Sequence, residues 1–272
     1  MRKTLKQKIS FSGIGIHTGK KSKIELHPLK EPGGIVFLIN GIKIPAKLNY
    51  KKDSRRGTIL KKDKQSIETV EHILSSLYAM NIDDCIIEVS KGNEVPIMDG
   101  SSYPFIKKII KTGILKKNQK REIFKINNEI KYKKDDVEIV GKPYEGFKIN
   151  FLFDGEKFGY KKEEMTFLLT EKNYIEKIAR ARTFGFWQEI EYLKENNYAK
   201  GADLNNVLVI KDGKPYKNSF RFKKELVAHK ILDYIGDLSL TGKRVMGFFK
   251  VKRSGHYHNG RFFKKILEDM NE

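Results

Sequence analysis

The chain has 272 residues, an apolar share of 39% and a net charge of +21. This length accommodates one large domain or two of ordinary size, and the composition predicts a globular protein. Cys85 is the only cysteine, so a disulfide within the chain is excluded. No run approaches the roughly 20 apolar residues of a membrane span, and residues 1–8 lack the apolar core of a signal peptide. We therefore expect a cytoplasmic protein.

The large positive charge suggests a nucleic-acid-binding protein, but the kind and distribution of the basic residues weaken that interpretation. Only 10 of the 55 basic residues are arginine, whereas bidentate recognition of phosphate and guanine favours arginine. The lysines are scattered over the whole chain instead of forming one basic arm. We expect no nucleic-acid partner, although such a charge would attract a phosphate-bearing small molecule or an anionic membrane surface.

The first half of the chain has the patterning of strands, then a helix, then a strand. Asn40-Gly41 is a favoured two-residue turn between two strands, and apolar residues recur at helical spacing from Ile67 onward. The expected elements are strands at 7–12, 22–28, 34–39, 42–49 and 85–89, and helices at 67–80 and 104–110.

Residues 115–122 are polar and aperiodic, which predicts a linker. The second half then repeats the plan of the first. The expected elements are strands at 123–132, 137–141, 147–153 and 245–252, helices at 186–196 and 223–240, a loop at 253–258 and a last helix that ends near 269.

Two short stretches, 70–74 and 227–232, are similar in sequence and lie in the predicted helices of the two halves. Each of these helices leads into a β-rich strand. A repeat of this kind predicts two similar α+β layers that face each other, each offering one histidine to a shared site. The alternative is a chance match, because the similarity is short.

The helix predicted at 223–240 is apolar except for a stripe of His229, Asp233 and Asp237, each four residues after the last. Residues four apart share one helix face. Buried ionisable groups are costly unless they are paired, hydrogen-bonded or bound to a metal. The stripe therefore predicts a partner, most simply a divalent cation held by His229 and Asp233.

His72, in the predicted helix of the first half, is the candidate for a third ligand. Two imidazoles and one carboxylate form the ligand set of a catalytic zinc ion, which keeps a fourth position open for water. The alternative is that each histidine is an ordinary core or surface residue, as a single histidine in a helix usually is.

Four other side chains have the chemistry to serve such a site. Zinc lowers the pKa of water toward neutrality, and Glu71 could accept the water proton as a general base. His256, in the loop predicted after a strand, could protonate a leaving amine, with Asp237 as its charge partner. Thr183 could stabilise an oxyanion, or it could instead cap a following helix.

Six stretches of the chain together resemble the zinc-dependent UDP-3-O-acyl-N-acetylglucosamine deacetylases of lipid A synthesis. They come in the family's order and span most of the chain, so together they are highly specific although each is weak alone. The stretches are SGIGIHTG at 12–19, TVEH at 69–72, VPIMDGSS at 95–102, ARTFGF at 181–186, HKILDYIGDL at 229–238 and RSGH at 253–256.

The resemblance implies an α+β fold of two similar β-α-α-β sandwich domains, residues 1–117 and 123–272, with the active site between their helix layers. An insert in the second domain, within 190–218, would form an apolar passage for the acyl chain. The implied reaction is zinc-dependent hydrolysis of the acetamide of UDP-3-O-acyl-N-acetylglucosamine to UDP-3-O-acyl-glucosamine and acetate, the committed step of lipid A biosynthesis. We expect a monomer, with peripheral association with the inner membrane face as a further expectation.

The resemblance also implies a role for each candidate residue. The implied chemical roles are zinc ligation by His72, His229 and Asp233, general base for Glu71, general acid for His256, orientation of that acid by Asp237 and oxyanion binding by Thr183. The implied substrate contacts are the phosphates for Lys230, the nucleoside for Phe184 and the acyl-group end for His17.

Two departures from the family's pattern affect the expected substrate contacts. The family usually has a His-Pro pair where this chain has Asp154-Gly155-Glu156, and residues 220–224 are unusually basic. Both departures leave the expected zinc ligands intact. A catalytically silent binding protein derived from such an enzyme is the remaining alternative, but retention of every expected ligand and acid–base residue argues against it.

Overall fold

The computed structural model describes residues 1–54 and 56–270. Its helices are α1 (Glu71–Ala79), α2 (Tyr103–Thr112), α3 (Glu171–Lys177), α4 (Ile190–Glu195), α5 (Glu225–Leu238) and α6 (His256–Asp269). Its strands in the first half are β1 (Lys3–Leu5), β2 (Ile9–Ile14), β3 (Lys21–Pro28), β4 (Ile35–Ile39), β5 (Ile42–Pro45), β6 (Lys51–Lys52), β7 (Ile59–Lys62), β8 (Gln65–Ile67), β9 (Cys85–Lys91) and β10 (Ile114–Lys116). Those in the second half are β11 (Ile123–Lys125), β12 (Ile130–Lys134), β13 (Val137–Lys142), β14 (Phe147–Phe153), β15 (Glu163–Leu168), β16 (Phe184–Phe186), β17 (Leu208–Lys211), β18 (Lys214–Pro215) and β19 (Arg244–Lys252).

Two sheets, one in each half of the chain, have the same strand order. The first is β2-β3-β9-β4-β5, and the main path of the second is β12-β13-β19-β14-β15, with β11 added at the end of β19. In each sheet the central strand, β9 or β19, is parallel to one neighbour and antiparallel to the other. A helix precedes and follows each central strand. The α+β fold class is therefore confirmed, and the similar stretches at 70–74 and 227–232 lie at equivalent places in the two halves.

The helix layer lies between the sheets and contains one continuous apolar core. α1 packs against α5, α2 against α1, and α6 against α5. Every residue of α1 is buried, and so is every residue of α5 except Lys230. These two helices are apolar on several faces because helices or sheets cover them on several sides. Within the described residues, no helix is both long enough and apolar enough to cross a bilayer.

The helix predicted at 67–80 differs from the structure at its start. α1 begins at Glu71 instead of residue 67, because Gln65–Ile67 forms strand β8. Thr69 then has a left-handed backbone (φ 56°), which a continuous helix does not allow. The apolar spacing before Glu71 therefore belongs to a strand and a turn that pack on the same core.

The second half shows larger differences. The helix predicted at 186–196 is limited to Ile190–Glu195, and a short strand lies before it. The loop predicted at 253–258 is wrong from His256 onward, because that residue begins α6. Strand β15 and helix α3 were not predicted, since both are short and carry charges on their exposed faces.

α1 and α5 approach most closely where Gly236 faces the first residue of α1. A Cβ atom on Gly236 would lie 2.3 Å from the carbonyl oxygen of Glu71 and 2.9 Å from its Cα. Both are backbone atoms, so neither can move aside without displacing the helix. Glycine at this position therefore sets how closely the two halves approach.

Asp84 holds the start of residues 115–122, the segment predicted as a linker, against the first half of the chain. β10 pairs with β1, and the next residue, Lys117, donates to the fully buried Asp84 carboxylate at 2.9 Å. Arg2 Nε and the backbone N–H of Gly33 donate to the same carboxylate at 2.8 and 2.9 Å. The linker prediction is therefore wrong at its start. The domain bounds 1–117 and 123–272 stay a prediction, and residues 271–272 lie outside the described part.

The Gly236→Ala substitution is expected to destabilise the protein by about 1–3 kcal/mol, as overpacking of a close-packed core does. The added methyl would overlap the Glu71 carbonyl. Gly260→Ala in α6 is the matched control, because the nearest atoms to its methyl would belong to the flexible Lys51 side chain, at 3.4 Å. Alanine also favours a helix interior. Urea unfolding of both variants tests this. A Gly236→Ala variant as stable as the wild type would show that the two helices can separate without cost.

The protein is expected to lose stability in acid when the Asp84 carboxylate becomes protonated. Burial alone would raise the pKa of Asp84, but hydrogen bonds from Arg2, the neighbouring backbone and Lys117 lower it from 3.8 to about 2. A depressed folded-state pKa stabilises the protein above the unfolded pKa, and this contribution, about 2 kcal/mol, disappears as the pH falls from about 4 to 2. Asp84→Asn should lose this acid dependence and be destabilised at pH 7, because Arg2 and Lys117 lose their counter-ion.

Urea unfolding at several pH values measures both effects. Asp63→Asn, at an exposed turn, is the matched control and should change neither. If the unfolding free energy of Asp84→Asn fell in acid as much as that of the wild type, other carboxylates would be the cause.

Candidate active site

His72, His229 and Asp233, the three predicted metal ligands, meet between α1 and α5. One ligand atom from each lies within 4.8 Å of the others, and all three residues are buried. His229 Nε2 is 3.4 Å from Asp233 Oδ1, and the two imidazole rings are 5.1 Å apart, edge to face. The stripe on α5 therefore supplies two members of the group, and the first half of the chain supplies the third.

The hydrogen bonds of these residues leave atoms free for a cation. His72 Nδ1 and Asp233 Oδ1 are buried without a hydrogen-bond partner, although buried polar atoms are normally paired. His229 Nδ1 lies 3.1 Å from the Ala181 carbonyl oxygen, to which it donates as a neutral ring, so Nε2 is left as the ligating nitrogen. The donor set therefore fits a divalent metal ion.

The protonation states of the three residues also suit metal binding. Burial, reinforced by the nearby His229, lowers the pKa of His72 to about 3, and burial lowers the pKa of His229 as well. Burial would raise the pKa of Asp233, but Lys230 and the neighbouring imidazoles hold it well below its ordinary value. Two neutral imidazoles and an ionised carboxylate are the forms that bind metal.

Glu71, His256 and Asp237 form a second buried group beside the predicted ligands. His256 Nδ1 donates to Asp237 Oδ2 at 2.9 Å. His256 Nε2 lies 3.8 Å from both Glu71 Oε1 and Asp233 Oδ2. The three residues predicted as base, acid and orienting carboxylate are therefore in one place, and the second nitrogen of His256 faces the metal group.

The surroundings shift the pKa of Glu71 and His256 in the same direction for different reasons. Burial raises the pKa of Glu71 to about 7, against the opposing effect of His256 and with a smaller contribution from Asp233. Burial alone would lower the pKa of His256, but Asp237, Glu71 and Asp233 raise it to about 9. Adjacent buried groups whose pKa values are shifted in this way are typical of catalytic sites.

Thr58 and Asn259 complete this group and were missed in the sequence. The Thr58 hydroxyl donates to Asp237 Oδ1, and its backbone N–H donates to Glu71 Oε2 at 2.9 Å. Asn259 Nδ2 donates to Asp237 Oδ2 at 2.8 Å. Asn259 lies three residues after His256, which could have suggested a shared helix face. Nothing in the sequence pointed to Thr58, because its partners come from two distant helices.

Thr183 is held beside the metal group by an ion pair at the start of α5. The fully buried Glu225 accepts from Arg182 Nε at 2.8 Å and from the Arg182 backbone N–H at 3.1 Å. The Thr183 N–H donates to the Gly100 carbonyl at 2.7 Å. Strand β16 follows Thr183 directly, so the alternative in which this threonine caps a helix is wrong.

A cavity of about 410 Å³ lies beside Glu71 and His72 and is also lined by His17 and Thr183. Phe184 lines it too, with its ring edge-on to His229 at 6.0 Å. Part of the remaining wall comes from the segment 190–218, in which the acyl passage is predicted, namely Ile190, Leu193, Val207 and Val209. Phe186 and Trp187, which precede that segment, also line the cavity. The cavity therefore joins ionisable groups to an apolar wall.

His17 is positioned by Glu94, which the sequence reasoning also missed. The buried Glu94 carboxylate accepts from the backbone N–H groups of His17 and Thr18, both at 2.9 Å. A Cβ atom on Gly15 would lie 2.1 Å from Glu94 Oε2, so a side chain at this position would displace the carboxylate. The His17 ring then lies edge-on to Tyr198 of the opposite wall, with centroids 5.5 Å apart.

A second cavity, of about 490 Å³, adjoins the metal group on the side of Lys230. Lys230 Nζ donates to Asp233 Oδ2 at 2.7 Å. Arg253 lines the same cavity, together with Asp154, the residue at the departure from the family's His-Pro pair. Polar and charged groups therefore surround this cavity, in contrast to the apolar wall of the first.

A buried group of two histidines and one carboxylate beside an acid–base pair is typical of metal-dependent hydrolases. The family model described as UDP-3-O-acyl N-acetylglycosamine deacetylase matches residues 2–268. Similar proteins named UDP-3-O-acyl-N-acetylglucosamine deacetylase include one from Thermodesulfovibrio yellowstonii, 40% identical over 98% of this chain and 92% of that protein. Another, from Coxiella burnetii, is 38% identical over 98% of this chain and 90% of that protein. A third, from Nautilia profundicola, is 38% identical over 98% of this chain and 91% of that protein. The chain belongs to this deacetylase family.

Substitution of a predicted ligand should remove the metal from the protein. His72→Ala and His229→Ala each leave two ligands, too few for a stable site, whereas the wild type should hold about one ion per chain, as catalytic zinc sites do. His27→Ala is the matched control, because Glu25, His27 and Glu88 form another possible metal group, half-buried and outside the cavity. Metal analysis after dialysis measures the content. If only His27→Ala lost the metal ion, the metal site would be the group of Glu25, His27 and Glu88 on the first sheet.

Proposed function

We propose that this protein hydrolyses the acetamide of UDP-3-O-acyl-N-acetylglucosamine, giving UDP-3-O-acyl-glucosamine and acetate, as a step of lipid A biosynthesis. Family membership supports the substrate and the reaction. The observation that carries the proposal is the meeting of His72, His229 and Asp233 with the Glu71–His256 pair, with Glu71 and His72 in the wall of one cavity. An apolar wall for an acyl chain and a charged cavity for phosphates adjoin this site on different sides.

Zinc is the metal that the donor set suits best, since it favours nitrogen and carboxylate ligands with one position left open. His72, His229 and Asp233 would hold it. When bound, zinc supplies a Lewis acid that polarises the acetamide carbonyl and lowers the pKa of water. Lys230 hydrogen-bonds the Asp233 oxygen that is not left free, and so orients this carboxylate.

The protein's own groups move the protons. Glu71 accepts the proton of the attacking water, since its carboxylate lines the cavity beside His72. His256 gives its Nε2 proton to the departing amine nitrogen, because this ring nitrogen faces Glu71 and Asp233. Asp237 holds the ring by its other nitrogen and stabilises the imidazolium. The acetyl carbon therefore reacts between a base and an acid that are already in place.

The remaining residues bind the substrate. Thr183 stabilises the oxyanion from the cavity wall. Lys230 lies near the phosphates and Phe184 near the nucleoside, while His17 lies at the acyl-group end. The acyl chain occupies the apolar wall formed by residues 186–209, where transfer of its methylene groups from water favours binding.

We further propose that the protein acts as a cytoplasmic monomer in peripheral contact with the inner membrane face. The net charge of +21 supports contact with an anionic surface. The acyl chain of the substrate supports it as well, because such a chain partitions into a bilayer.

The Glu71→Ala variant should lose deacetylation of the UDP-substrate while it keeps its metal, because Glu71 is not one of the ligands. Loss of a general base typically slows turnover by about 10²–10⁴-fold. The measurement is acetate release together with metal content, for the wild type and the variant. His256→Ala, in the same assay, should lose turnover to a similar extent with the metal retained.

Two results would contradict the proposal. Full activity of the metal-free protein would show that the reaction does not need the metal. A normal rate in Glu71→Ala would show that Glu71 is not the general base. An inactive variant that has also lost its metal would instead mean that Glu71 helps to build the metal group, and His256→Ala then decides the acid–base assignment.

A further inference from the structure

Arg253 occupies a special position at the rim of the cavity beside Lys230. Its backbone is left-handed (φ 57°), which is uncommon for a residue other than glycine. Its backbone N–H donates to the Leu152 carbonyl at 3.0 Å. The guanidinium and Lys230 line the same cavity of about 490 Å³, so two cations from different elements face one space.

Two carboxylates hold the two sides of this guanidinium. Asp154 Oδ2 accepts from Arg253 Nε at 3.0 Å and also from Nη2, whereas Asp136 Oδ2 accepts from Nη1. Asp136 lies in the turn between β12 and β13. The two carboxylates thus occupy the nitrogens with which an arginine binds phosphate.

The two carboxylates differ in how firmly they are held. The Asp154 side chain is only 4% exposed, and its Oδ1 accepts from the backbone N–H of Glu156 at 3.0 Å. The Asp136 side chain is 59% exposed, and Arg253 is the partner of its carboxylate. An exposed ion pair contributes little to stability and is easily exchanged. Asp136 can therefore leave Arg253, while Asp154 remains.

We propose that Asp136 is a displaceable anion that occupies the phosphate-binding edge of Arg253 until a diphosphate replaces it, and that Asp154 is the positioning residue that keeps the guanidinium in place. The ligand is the diphosphate of a nucleoside diphosphate, so this inference rests on the proposed function. A diphosphate carries more charge than one carboxylate and can contact Arg253 and Lys230 together. The diphosphate must therefore compete with the Asp136 carboxylate for Arg253.

The two carboxylates should consequently have opposite effects on diphosphate affinity. Asp136→Asn removes the competitor and should tighten binding about two- to fivefold, which is the range that an exposed ion pair contributes. Asp154→Asn keeps an oxygen for the Glu156 N–H, but it turns an amide donor toward Arg253 and releases the guanidinium. Binding should then weaken by about tenfold.

The experiment is calorimetric titration of UDP, and separately of inorganic pyrophosphate, into the full-length metal-loaded protein at about 0.15 M salt. Asp135→Asn is the matched control for Asp136→Asn. It removes the same charge from the same turn, and asparagine suits the left-handed backbone of residue 135 (φ 53°). Asp136→Asn should tighten both ligands more than Asp135→Asn does, and Asp154→Asn should weaken both.

Three results would overturn the inference. If Asp136→Asn and Asp135→Asn raised the diphosphate affinity equally, the change in net charge alone would explain the effect. If the affinity of Asp136→Asn were unchanged or weaker, the Asp136 carboxylate would not compete with the ligand. Unchanged affinity in Asp154→Asn would remove its positioning role. The pyrophosphate titration separates this inference from the proposed function, because a protein without deacetylase activity can still show the expected order of pyrophosphate affinities.

Discussion

The close approach of α1 and α5 at Gly236 is the constraint on which the rest of the structure depends. It brings the start of α1, with Glu71 and His72, against the second half of α5. The three predicted ligands come within 4.8 Å of one another only because the two helix backbones nearly touch. A side chain at Gly236 would displace α1, and the ligands of the two halves would move with their helices. The site is thus a property of the helix contact rather than of either half.

Burial of so many ionisable groups in one helix layer has a cost that their arrangement offsets. Asp237 accepts from His256, Thr58 and Asn259, and the Asp233 oxygen on the side of Lys230 accepts from that cation. His72 and His229 avoid the cost because burial keeps them neutral. The two atoms left without partners, on His72 and Asp233, lie where a metal ion would be bound.

The two cavities beside the metal group differ in character because different elements build them. Residues 184–217 cover the first and supply apolar side chains, whereas the ends of β14 and β19 and the turn after β12 supply the charged groups of the second. An amphiphilic substrate with an acyl chain and a diphosphate matches this division. Asp154, at the departure from the expected pattern, forms an ion pair with Arg253 at the second cavity. The predicted metal group is therefore separate from the two cavities that are proposed to bind the ends of the substrate.

The sequence by itself determined the helix that carries His229, Asp233 and Asp237, the α+β class and the family, because apolar periodicity and local motifs are encoded over a few residues at a time. The spacing of His229, Asp233 and Asp237 was enough to place them on one helix face, and the similar stretches at 70–74 and 227–232 indicated the repeat. Only the tertiary structure decided what lies across from them. Thr58, Asn259 and Glu94 act through partners that lie 13 to 179 residues away in the sequence. The start of α1 depends on a strand that pairs with another part of the chain. Such contacts depend on how distant segments pack, and no local pattern of residue types records them.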